Sequence, residues 1–177
     1  LEPPVPADVI VWLSPMPLTE GAFLTVPFSL TSLYLLLEGH FFPTPRRHIR
    51  VALETSIDLN LEGDWLAGRL ISLSDRGGRI VSKTEIPRGK ILNLEVKLAG
   101  RTIQMPAEVL YCIPAGDSPG RSHAQVGVLF KPKSEKETIT LRHYIEKVSI
   151  ESACVREDIP VNDPCVSWLD VPDNPWG

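Results

Sequence analysis

The chain has 177 residues, a formal net charge of −4, and 43% hydrophobic against 23% charged residues. That is one ordinary domain with appendages, apolar enough to build a core, which excludes a wholly disordered chain and a multi-span membrane protein. Its three cysteines, Cys112, Cys154 and Cys165, form no CxxC pair and have no histidine at zinc-finger spacing. A disulfide scaffold is excluded, no metal site is expected, and a reducing cytoplasmic compartment fits. Leu1 in place of Met points to sequence upstream of it.

The charge is unevenly spread. Residues 46–149 hold 17 of the 18 Lys/Arg and 12 of the 22 Asp/Glu, about +5, while the two flanks together sum to about −9. Eight of the 17 prolines fall in the first 45 residues. These shifts divide the chain into an N-terminal extension (1–43), a basic folded domain (44–149) and an acidic, proline-rich C-terminal tail (150–177).

In the extension, residues 21–37 are seventeen positions without a charge. They include Pro27 and four Ser/Thr and are short for a membrane span of about 20 residues, so no membrane insertion is expected. The pattern predicts a strand over 22–26 and a core or partner-facing helix over 29–38. From residue 43 the apolar positions recur with a period near two, predicting strands over 49–61, 65–73, 78–82, 91–98, 102–113 and 124–131. Turn residues separate them at Glu62-Gly63-Asp64, Pro87-Arg88-Gly89, Ala99-Gly100 and 114–122. At Ser134 the period becomes helical, with Glu137 three residues on as a capping box and Ile139, Leu141, Tyr144, Ile145 and Val148 on one face. The expected fold is mainly β: a small antiparallel barrel closed by a C-terminal helix. In the tail, Trp168 and Trp176 are isolated apolar groups, a short strand near 166–169 is expected, and local packing on its own domain is the simplest role.

Residues able to bind an anionic ligand cluster around the first strands. Pro43-Thr44-Pro45 disfavours helix, so Arg46, Arg47 and Arg50 lie on an extended arm entering the barrel. Downstream, Ser72-Leu73-Ser74-Asp75-Arg76-Gly77-Gly78 ends one strand and starts the next, with Ser72 and Ser74 on one face. The Gly pair permits a bulge or a close approach by a ligand.

Arg46-x-x-x-Arg50, Ser72-x-Ser74-x-x-Gly77, the late strand Gly127-Val128-Leu129-Phe130 and the closing helix together resemble a PilZ domain over residues 44–148. The resemblance implies that an RxxxR arm and a [DN]-x-S-x-x-G motif bind the bacterial second messenger cyclic di-GMP, through Arg46 and Arg50 in the first motif and Ser74 and Gly77 in the second. Ser72 departs from the pattern, standing where the family has Asp or Asn. Arginine suits the task, because it pairs bidentately with phosphate, reaches guanine O6 and N7, and stacks on a base. Arg47 and Gly78 belong to the same candidate site, which Arg76 and Arg79 extend with positive potential. Separately, residues 8–38 resemble the closing strand and helix of a response-regulator receiver domain, Ser14 falling where receivers keep Ser or Thr. Val26 stands in place of their lysine before proline and no acidic pocket is visible, which implies a remnant without phosphoryl chemistry.

The expected function is that of a cytoplasmic receptor for cyclic di-GMP, without a cofactor, passing a conformational change to a protein partner or an adjoining domain, and able to form a homo-oligomer. The alternative is a PilZ-like adaptor that has lost the nucleotide. An enzyme is not expected, since His40, His48, His123 and His143 form no catalytic spacing. A nucleic-acid polymer is not an expected partner, because the domain offers only Trp65, Tyr111, Phe130 and Tyr144 as stacking platforms.

Overall fold

A computed structural model describes residues 11–16, 22–116 and 122–171. The tail beyond Val171, with Trp176, and the centre of the loop expected at 114–122 lie outside these residues. The chain divides into two compact units, residues 50–145 and the segments on either side of them.

In the flanking unit, strands β1 (Val11–Ser14) and β2 (Ala22–Thr25) pair in parallel over four residues. The Val26 amide extends the pairing by donating to the Ser14 carbonyl at 2.9 Å, and the Val26–Pro27 peptide is cis. Phe28 follows, buried, with its amide donating to the Trp168 carbonyl at 3.1 Å and its carbonyl accepting from the Asp170 amide at 2.8 Å. The Phe28 and Trp168 rings lie 5.0 Å apart between centroids. The tail near Trp168 is therefore docked. Where the sequence predicts a strand, a 3-10 turn (Pro164–Val166) leads into a single bridge, Phe28↔Leu169.

Helix α1 (Leu30–Phe41) starts at Ser29, whose hydroxyl accepts from the Ser32 amide at 3.2 Å. The Thr31 amide, another donor left over by the first helical turn, goes to Glu146 Oε1 at 3.0 Å. Glu146 is itself buried. A carboxylate there satisfies a stranded N–H and complements the positive end of the helix. Despite its run of leucines, α1 has no buried residue.

The second unit is a closed barrel of β3 (Val51–Leu61), β4 (Asp64–Ser74), β5 (Gly77–Ser82), β6 (Ile91–Leu98), β7 (Arg101–Ile113) and β8 (Ala124–Phe130). The order round the barrel is β3-β4-β5-β8-β7-β6, and the ring shuts through β6 against β3, Ile57↔Val96 to Asn60↔Asn93. All pairings are antiparallel. The period-two pattern puts Ile57, Leu59, Leu70, Leu92, Leu94, Val96, Leu98, Val109 and Val126 inside, each almost fully buried. Burying such side chains is the main force holding the barrel, at about 1.5–3 kcal/mol each relative to exposure. Two hairpins turn on two residues, Glu62-Gly63 and Ala99-Gly100, all four at positive φ, the turn whose twist matches that of the strands it joins.

Helix α2 (Glu135–Arg156) follows β8. Its start agrees with the capping box: Ser134 Oγ accepts from the Glu137 amide at 3.3 Å, while the Glu137 carboxylate reaches back to the Lys133 amide at 2.7 Å. It runs past the expected end at 148, because Ile150 and Cys154 continue the buried face begun by Leu141 and Ile145. Residues 150–156, read as tail, are helical. The first strand also starts later than expected, at Val51, leaving Arg46, Arg47 and Arg50 in neither helix nor strand. Among the described residues no helix is long and apolar enough to cross a membrane.

Gly77 and Gly127 are needed for different reasons. A Cβ on Gly77 would lie 2.2 Å from the backbone carbonyl oxygen of Val128 on the neighbouring strand, whereas one on Gly127 would meet the Tyr111 ring, also at 2.2 Å. The carbonyl belongs to a paired ladder and cannot move, but the exposed Tyr111 ring can swing away. Gly77→Ala is expected to cost about 3 kcal/mol or more, in the overpacking range, and Gly127→Ala distinctly less. Urea unfolding of the two variants checks the order.

Candidate ligand-binding site

The turn between β4 and β5 is tied at each of its residues. Ser74 is buried, and its hydroxyl donates to the Gly77 carbonyl at 3.1 Å and accepts from the amides of Gly77 at 3.1 Å and Arg76 at 3.4 Å. The Arg76 carbonyl accepts from the Phe130 amide at 2.8 Å. Asp75 stands at the tip of a hairpin yet is only 4% exposed. Arg142 of α2 explains this, placing Nε at 3.1 Å and Nη2 at 3.0 Å from Asp75 Oδ2. Neither Asp75 nor Arg142 is a sequence-predicted site residue, because an ion pair 67 positions apart leaves no local pattern to read.

Ser72 is half-buried and stands in register opposite Ala52 on β3 and the exposed Arg79 on β5. Register shifts on either side, between Ala52 and Thr55 and between Leu70 and Ser72, mark irregularities in the ladder. Such bulges re-aim side chains near binding sites. The two glycines are tightly packed within the barrel. Gly77 leaves no room beside Val128, and a Cβ on Gly78 would come within 2.8 Å of Leu70 Cδ1 and 3.0 Å of the Ser72 carbonyl. Within the barrel their smallness lets the neighbouring strand and the Leu70 side chain approach.

The arm is exposed at Arg46, Arg47 and Arg50. Arg46 belongs to the flanking unit, where its amide donates to Glu38 Oε2 at 2.8 Å, near the end of α1. Arg50 opens the barrel unit. It precedes the pair Val51↔Leu73 by one residue, so the antiparallel register carries Arg50 to the level of Ser74 and the start of the turn. The structure thus brings Arg50, Ser72, Ser74, Arg76, Gly77, Gly78 and Arg79 to one end of the sheet formed by β3, β4 and β5. A separate cleft of about 320 Å³ is lined by Asn60, Trp65, Asn93, Glu95, Gln104 and Lys133 among others, and includes none of the motif residues.

The PilZ domain family model matches residues 44–147. The chain belongs to the PilZ domain family. Solved structures of other PilZ proteins share the fold. YcgR from Escherichia coli in complex with c-di-GMP is 18% identical, with 64% of this chain and 50% of that one covered and a TM-score of 0.55. The separate PilZ domain of YcgR with c-di-GMP gives 17% identity, 65% and 98% coverage and 0.53. MotI/DgrA, the inhibitor of motility of Bacillus subtilis, gives 15%, 61% and 53%, and 0.51. The chain spans about half the length of the YcgR and MotI/DgrA chains it matches. A search of curated protein sequences finds no match.

In this PilZ barrel the two serines of the second motif do different work. Ser74→Ala removes the hydroxyl that closes the turn and is expected to cost about 1–3 kcal/mol, the penalty for stranding buried polar groups. Ser72→Ala should stay within about 0.5 kcal/mol of wild type. Equilibrium unfolding in urea measures both.

Proposed function

We propose that this PilZ protein is a receptor for cyclic di-GMP, bound by Arg46, Arg47 and Arg50 from the arm and by Ser72, Arg76 and the Ser74–Gly77 turn from the barrel. The observation that carries this reading is the register of β3 and β4, which brings Arg50 level with the turn that holds the second motif. A cyclic dinucleotide carries two phosphates and two guanines. Arginine on an unpaired, exposed segment can pair with the former and read or stack on the latter without a cost in broken secondary structure. Ser74 and Gly77 contribute by fixing the turn, and Gly78 by letting Leu70 and the Ser72 backbone close in beneath it.

The output is a change in the arm. Arg46 and Arg50 lie in different compact units, with only residues 47–49 between them. A ligand that holds both arginines restrains that connection, and a ligand with unequal affinity for two arrangements shifts their populations. The acidic residues beyond Ile150 supply counter-charge for the arm when the ligand is absent. The recipient is a protein partner, a second copy of the chain or an adjoining domain, and the receptor works in the cytoplasm without catalysis of its own.

Ser72 supports a second reading. A hydroxyl in place of a carboxylate or amide offers fewer partners to a guanine edge, which suits an adaptor that no longer binds the nucleotide.

Titration calorimetry separates the two. The receptor reading expects heat with cyclic di-GMP, and Arg46→Ala or Arg50→Ala each weakening binding by about 1.5–3 kcal/mol, the worth of a charge-assisted hydrogen bond. Arg47→Ala should matter less, and Ser72→Asp or Ser72→Asn should tighten binding. Hydrogen exchange across residues 41–50 should slow with ligand. No heat with the wild type supports the adaptor.

A further inference from the structure

We propose that Arg142 is a positioning residue for the nucleotide site, acting through Asp75: its guanidinium cancels a carboxylate that the second motif carries at the place where an anionic ligand must dock. This rests on the cyclic di-GMP reading above. Asp75 sits between Ser74 and Arg76, inside the turn that the ligand approaches. A lone carboxylate there would repel the ligand phosphates. The sequence nevertheless places an acid at this position, and the fold spends a long side chain of α2 on it.

The geometry is that of a neutralised charge. Two N–H groups of Arg142, Nε and Nη2, converge on the same oxygen, Oδ2, at 3.1 and 3.0 Å. The Asp75 side chain is 5% exposed, while that of Arg142 is 41% exposed. The negative charge is thus drawn inward and the positive charge stands between it and solvent. With the Ser74 hydroxyl and the Phe130 amide holding the rest of the turn, the Asp75–Arg142 pair also fixes the tip. A ligand approaching the turn therefore meets Arg76, Arg79 and the outer part of Arg142, with the acid covered.

The pair has a role in the site only if its charge matters to the ligand. The test is calorimetric titration of cyclic di-GMP into wild type, R142Q, D75N and the double variant R142Q/D75N, with folding followed by circular dichroism. Titrations run at about 0.01 M and about 1 M salt, where the screening length falls from about 30 Å to about 3 Å. R142Q is expected to bind at least about tenfold more weakly at low salt, about 1.4 kcal/mol, with a deficit that shrinks as salt rises. D75N, which leaves the Arg142 charge without its carboxylate, should bind more tightly than wild type at low salt, and the double variant, neutral like the wild-type pair, should recover most of the affinity that R142Q loses. A purely structural pair would lower affinity equally at both salts. A salt-independent deficit, R142Q binding like wild type, or a double variant no better than R142Q overturns the proposal. Absence of binding by the wild type removes instead the ligand reading on which it stands.

Discussion

The close approach of β5 to β8 at Gly77 is the constraint from which the rest of the site follows. With a hydrogen in place of a side chain, the strand can lie against the Val128 carbonyl and still pair, Gly77↔Leu129 and Gly78↔Val128. That pairing joins the β3-β4-β5 half of the barrel to the β8-β7-β6 half. It also sets where the β4–β5 turn ends, since the Arg76 carbonyl is held by Phe130 at the end of β8. The turn is in consequence tied to the barrel rim at both ends.

The arm is the opposite kind of element. Residues 43–50 lie in neither strand nor helix, and the Arg46 amide donates to Glu38. The flanking unit that carries Arg46 is organised by its own contacts. Phe28 is sandwiched into the chain near Trp168, and Glu146 caps the first turn of α1. The segment after α2 thereby helps to fix the helix from which the arm departs.

The barrel was legible because its signals are local. Alternation placed Leu92, Leu94, Val96 and Leu98 inside β6, and the turns at Glu62-Gly63 and Ala99-Gly100 fell where two-residue hairpins need positive φ. The arginine arm and the Ser72 to Gly78 stretch were equally visible as composition. What escaped depends on partners distant in the chain. Asp75 reads as an ordinary turn acid until Arg142 is beside it, and Trp168 reads as an isolated aromatic until Phe28 meets it. Gly77 was recognised as special, but its reason lies in a carbonyl 51 positions later. The end of α2 was misplaced because the run Ser149-Ile150-Glu151-Ser152 weakens the helical pattern that Cys154, buried one turn on, resumes.

These assignments bear on what Ser72 can mean. Ser74 spends its hydroxyl on the turn, with one bond given and two received, so the serine of this motif serves the barrel whatever the ligand. Position 72 has no such duty. It lies on the strand itself, half-buried, between Ala52 and Arg79 and beside the two register shifts, so its side chain can change without disturbing the turn. The bonds that hold the turn thus fall at 74 and 77, and position 72 carries none of them. A substitution at residue 72 therefore leaves the bonds of the β4–β5 turn intact.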